Sequence, residues 1–113
     1  MFGLFKNRQK DIINFHLSQS GIDFETRGGD KYKGFLWSQV SKIETYKIDL
    51  ITYDEVALAF TTDIGVFQIL EGHSAFVELT HKLSTYFDTV DPSWYLEVMQ
   101  NAFETNRKVL FEQ

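Results

Sequence analysis

Cysteine is absent from the chain. With it go disulfides, thiolate nucleophiles and every zinc site built on sulfur. Proline occurs once, and no internal repeat, low-complexity tract or linker divides the sequence. No apolar run is long enough to span a bilayer. The opening MFGLFKNRQK has an apolar part too short for a secretory signal, and Phe2 stands where N-myristoylation needs glycine. The expectation is a soluble, cytoplasmic protein. Cations are scarce in the second part of the chain. Residues 1–47 carry eight Lys/Arg against five Asp/Glu (+3), and residues 48–113 carry three against eleven (−8), which together give the net −5. An acidic total argues against general nucleic-acid binding, which works by neutralising phosphates. An anionic membrane surface is disfavoured for the same reason.

What remains is an aromatic-rich chain of one domain's length, 113 residues, with 11 Phe, 5 Tyr and 2 Trp to fill a core. Each buried aromatic removes roughly 150–250 Å² from water, so no metal or disulfide is needed to hold such a chain together. Residues 1–113 are expected to form a single domain, with residues 1–10 a loosely held arm.

Along the chain, period-two alternation comes first. In residues 13–26, Ile13, Phe15 and Leu17 alternate with polar residues, as do Ile22 and Phe24; with Ser20-Gly21 as the turn this predicts a hairpin. Residues 27–34, RGGDKYKG, read as a loop, and residues 35–37 close a third strand. Val40 and Ile43 break the alternation, so a turn or bulge over residues 38–41 is expected to reset the register before a strand at 42–48. Residues 54–61 are the clearest strand: Val56, Leu58 and Phe60 share one face and Ala57 and Ala59 the other. Thr62-Asp63-Ile64-Gly65 is a turn, and residues 66–71 return antiparallel.

After Gly72 the period becomes helical. Phe76, Leu79, Thr80, Leu83 and Phe87 recur on one face, Ser74 suits the N-cap, and Glu78–Lys82 has the favourable i,i+4 order. Phe60, Phe67, Ile69, Phe76, Leu79 and Leu83 form the predicted core. A second helix is expected from Asp91-Pro92 to about residue 104, and residues 107–111 as a short strand or extended tail. On that second helix Trp94, Tyr95, Leu96, Val98, Met99, Ala102 and Phe103 fill an arc of roughly 200°, where one sheet contact needs about 100°. The excess calls for a second neighbour: the first helix, the terminal tail or another chain. Trp94, Leu96 and Phe103 are the expected interface to a protein partner or a second copy of the chain, unless the tail at 109–111 folds back over them.

The chemical motifs are few. HExxH, GxSxG, a Walker loop, GxGxxG and EF-hand spacing are all missing. His73 and His81 stand eight apart, too far for a helical zinc pair, and His16 sits in a predicted strand. Asp49, Asp54 and Glu55 flank one loop, as acids will in a small acidic domain. No catalytic, cofactor-binding or metal residue is assigned, no cofactor is expected, and no small-molecule substrate is identified. The one anion-binding candidate is the loop that holds Arg27, Lys31 and Lys33 around Gly28-Gly29, whose amides can face an oxyanion.

Trp37-Ser-Gln-Val40, followed by Ile43, Tyr46-Lys47 and Asp49, and the strand VFQILE before the first helix resemble small bacterial proteins with pleckstrin-homology-like (PH-like) folds over residues 21–87. The resemblance implies an α+β fold: a curved antiparallel sheet or partly open barrel of five to seven strands closed by a helix at 74–87, with the second helix appended. It also implies a non-catalytic role. The leading expectation is therefore a protein-interaction module that docks partners on a sheet edge or on the second helix. The alternatives are an acidic immunity-type protein that neutralises a toxin, and an enzyme of unrecognised type using the carboxylates and histidines.

Overall fold

The computed structural model describes residues 12–50, 53–100 and 107–113. Phe103, the end of the expected second helix and the N-terminal arm lie outside those residues. The described chain is α+β, with two antiparallel sheets. β1 (Ile12–Leu17), β2 (Gly21–Thr26) and β3 (Lys31–Leu36) form a three-stranded meander. β4 (Val40–Leu50), β5 (Tyr53–Thr62), β6 (Gly65–Leu70) and β7 (Lys108–Glu112) form the second sheet in the order β6-β5-β4-β7. Helices α1 (Ser74–Tyr86) and α2 (Trp94–Gln100) lie between β6 and β7 in the chain. The seven strands among the described residues fall within the expected range. The strands split into two sheets, and the described residues close no barrel.

The split occurs at Trp37–Gln39, a single 3-10 turn. The Gln39 side-chain carbonyl accepts from Leu36 N at 2.9 Å, and the register slips between Val40 and Lys42. This is the expected reset. Trp37 stays buried across the corner: its indole Nε1 donates to Ser18 O at 3.1 Å, and its ring stacks on Tyr86 at 4.5 Å.

The sheets meet through aromatics. Phe35 lies 4.6 Å from Phe67 and 5.2 Å from Phe60, ring centre to ring centre, in tilted geometries that favour ring quadrupoles. Val56, Leu58 and Phe60 face this core with Ile69, and α1 covers it with Ala75, Phe76, Leu79 and Leu83. All six predicted core residues are buried. On the opposite face of β5, Ala57 and Ala59 leave room for a bridge over the strand. The Gln68 side-chain amide on β6 donates to the Tyr46 hydroxyl on β4 above them. Arg107 stacks on the Tyr46 ring at 4.3 Å and pairs with Glu44 at 3.1 Å.

Three expectations need correction. The turn before β2 is built by Ser18, whose hydroxyl accepts from Ser20 N and Gly21 N, and Gly21 opens the strand itself. The loop after β2 is only residues 27–30, pinched by Thr26 N to Asp30 O at 2.9 Å, with Gly29 at φ 86 in the left-handed region. Lys31 and Lys33 thus belong to a strand. The α1 N-cap is His73, one residue before the expected Ser74, whose hydroxyl instead donates to Asn14 Oδ1 on β1 at 2.8 Å.

Candidate functional site

β3 is the end strand of its sheet, with no strand on its outer side among the described residues. Its register with β2 slips at Ile22/Asp23, so Ile22 faces Phe35 while Asp23 faces Lys33, leaving Gly34 as the extra residue. The irregularity depends on glycine by close approach. A Cβ on Gly34 would stand 2.2 Å from Ile22 O, and one on Gly21 would stand 2.0 Å from Phe35 O. The two strands press together there without side chains between them, and a groove opens above.

The groove has a volume of about 600 Å³. Ser18, Ser20 and Gly21 line one side; Lys33, Leu36 and Gln39 line the other; Ile64, from the β5–β6 turn, joins them. A smaller depression of about 280 Å³ continues from it over His16, Phe24, Lys31 and Tyr32 and shares Asp23 and Lys33 with it. One end is apolar and open to water: Leu36 is 49% and Ile64 51% exposed. The other end is charged.

The charges follow the sheet register. His16 and Lys33 both lie opposite Asp23, and Lys31 lies opposite Glu25. Opposite charges across strands are favourable neighbours. Even so, only His16 and Glu25 close to contact, at 3.3 Å. Arg27, Lys31 and Lys33 are exposed, and none forms an ion pair among the described residues. The other exposed or half-exposed cations do: Lys42 with Glu44 at 3.9 Å, Lys82 with Glu78 at 2.9 Å, Arg107 with Glu44, and Lys108 with Glu97. The three residues singled out as an anion contact are thus the exposed Lys and Arg residues that close no ion pair among the described residues. Lys33 lines both parts of the groove, Lys31 lines the smaller part, and Arg27 stands in the adjoining turn.

A second polar cluster lies where α2 meets β5 and β6. Glu71 accepts from Val56 N at 3.1 Å with one oxygen and from the Tyr95 hydroxyl with the other. Burial, reinforced by that carboxylate, pushes the Tyr95 phenol up to about 12. Burial also holds His73 below its ordinary value, against the opposing pull of Glu55, and its ring meets Phe15 edge-on at 4.9 Å. Tyr95 is thus held as a neutral phenol, and both Glu71 oxygens are engaged in fastening α2 to the sheet. No group of three or more His, Asp or Glu able to hold a metal occurs among the described residues.

The expected interface residues on α2 separate. Trp94 is fully buried, edge-on to Phe76 at 6.0 Å and Tyr95 at 5.8 Å, so its ring is part of the core and offers no surface to a partner. Leu96 is 64% exposed. Among the described residues of α2, Trp94 and Val98, one helical turn apart, are buried, and Tyr95 packs half-buried beside them. The expected helix start at Asp91-Pro92 is corrected: the helix starts at Trp94, and the Asp91 carboxylate instead closes the preceding turn, accepting from Ser93 N at 2.9 Å and Ser93 Oγ at 2.8 Å.

Sequence reasoning missed Asp23, Leu36, Gln39 and Ile64. Leu36 carried a faint signal, a large apolar residue next to buried Phe35 and therefore out of phase. Ile64 carried none, because it sits in a turn of the other sheet. Comparison with protein-family models, with curated proteins and with solved structures finds no match for the chain.

Proposed function

We propose that the protein is a non-catalytic protein-interaction module of PH-like type that docks its partner along β3. The carrying observation is the groove over the β2–β3 pair, with exposed Leu36 and Ile64 at one end and, at the other, Lys31 and Lys33, which close no ion pair among the described residues. Recognition sites combine this way, apolar surface supplying binding energy and a few charges fixing orientation. The PH-like part of the reading rests on two antiparallel sheets followed by a covering helix. It departs from the simplest such pattern in having six strands before α1 and a seventh, β7, added to β4 after the helices.

The test is site-specific photo-crosslinking in the producing cells. A photoreactive residue in place of Leu36 or Ile64 should give a discrete protein adduct, and one in place of Val77, which is 63% exposed on α1, should not. No adduct from either groove position, or equal labelling from Val77, would reject the proposal.

A further inference from the structure

The groove is specific enough in shape and charge to define its occupant, on the premise that it is the docking site just described. We propose that it takes an extended segment of a partner protein, acidic where it meets Lys31, Lys33 and Arg27 and apolar where it meets Leu36 and Ile64.

Three observations favour an extended chain with that polarity. The groove and its smaller continuation follow β3, whose six residues span about 20 Å at roughly 3.3 Å each, the reach of about six residues in a strand. The groove lies over the β2–β3 pair, with Asp23 of β2 opposite Lys33 of β3, so a chain seated in it runs along the two strands. Lys31 and Lys33 close no ion pair among the described residues, whereas Lys42, Lys82, Arg107 and Lys108 each do. The acids nearby close no contact ion pair with them or with Arg27 among the described residues: Glu25 is engaged by His16 at 3.3 Å, and Asp23 and Asp30 reach none of the three cations. Asp23 lines the groove midway and is suited to accept a backbone N–H of the incoming chain. Strand periodicity then requires apolar side chains two residues apart at the Leu36 end of the ligand.

A displayed library of random ten-residue peptides, selected against the whole chain and in parallel against a Lys31→Glu/Lys33→Glu variant, tests this. Both substituted residues are exposed, so an unchanged thermal midpoint establishes that the variant is folded. The expected result is enrichment of peptides with clustered Asp/Glu at one end and apolar residues at i and i+2 at the other, about tenfold or more weaker on the variant. Enrichment no better than on the variant, or of basic peptides, or of apolar residues at helical i, i+3 and i+4 spacing, would overturn it. So would binding to phosphatidylserine vesicles with no peptide enriched, which would make the ligand a membrane surface. A persistent Leu36 crosslink alongside a failed selection would reject this occupant and leave the interaction module standing. Loss of the crosslink would reject the module itself.

Discussion

Three glycines around β3 should respond differently to the same substitution, because each occupies its place for a different reason. At Gly34 the added Cβ would meet Ile22 O at 2.2 Å, Ile22 C at 3.2 Å and Phe24 Cδ1 at 3.3 Å. The nearest obstacle is backbone, so β2 and β3 must move apart by about 1 Å before the contact becomes ordinary, at the upper end of the usual overpacking cost, about 3 kcal/mol. At Gly29 the space is open but φ is 86, and an alanine held in the left-handed region costs roughly 1–2 kcal/mol. At Gly28 the Cβ meets only Asp30 Oδ2 at 3.8 Å, with no left-handed angle. There alanine restricts the unfolded chain more than the folded one and stabilises by about 0.4–1 kcal/mol. With a urea m-value of about 1.5 kcal/mol/M, Gly34→Ala lowers the midpoint by about 2 M and Gly29→Ala by about 1 M, while Gly28→Ala raises it by roughly 0.3–0.7 M. Equilibrium urea unfolding followed by tryptophan fluorescence measures all three. If the midpoints of Gly34→Ala and Gly28→Ala fell within about 0.3 M of each other, the close approach of the two strands, and the groove that depends on it, would be refuted.

Other perturbations probe the parts that hold this face in place. Leu79 is fully buried on the inner face of α1, and Leu79→Ala should cost about 2–5 kcal/mol in the same urea assay. Tyr95 titrates near 10.0 when unfolded and at about 12 when folded, so between those pH values the unfolded chain releases the proton first and stability falls. Tyr95→Phe should flatten that alkaline limb in a thermal-melt series, and an unchanged limb would show that Tyr95 is not fastened by Glu71. His73 has the opposite sense: its folded value lies below 6.5, so its contribution is complete above pH 6.5 and is lost as pH falls and the unfolded chain takes up the proton. His73→Gln should make stability less dependent on pH on that acidic side.

Much of this fold was legible because long, regular faces announce themselves. β5 carries Val56, Leu58 and Phe60 in strict alternation, and α1 repeats Phe76, Leu79 and Leu83 at helical spacing, each as one uninterrupted apolar face. β3 was not legible. Its exposed lysines and the extra Gly34 hide the alternation, so Gly34 and Phe35 are buried in succession and Lys31 reads as loop. The wide apolar arc of α2 was visible, but sequence could not assign its parts. Trp94 went to the core through Phe76 and Tyr95, while Leu96 stayed outside. The site was half legible for the same reason. Lys31 and Lys33 are close in sequence and betray a basic hairpin. Leu36 and Ile64 come together only when two sheets pack, and no local pattern encodes that meeting.

The central claim, that binding runs along β3, is tested most directly by backbone amide shifts of the labelled protein titrated with the peptide most enriched in the selection. The account predicts that the largest shifts fall on Lys31–Leu36 and Ile64 and vanish in the Lys31→Glu/Lys33→Glu variant. Shifts centred instead on Leu96 and Met99, exposed apolar residues of α2, would contradict it and move the docking face to the helix.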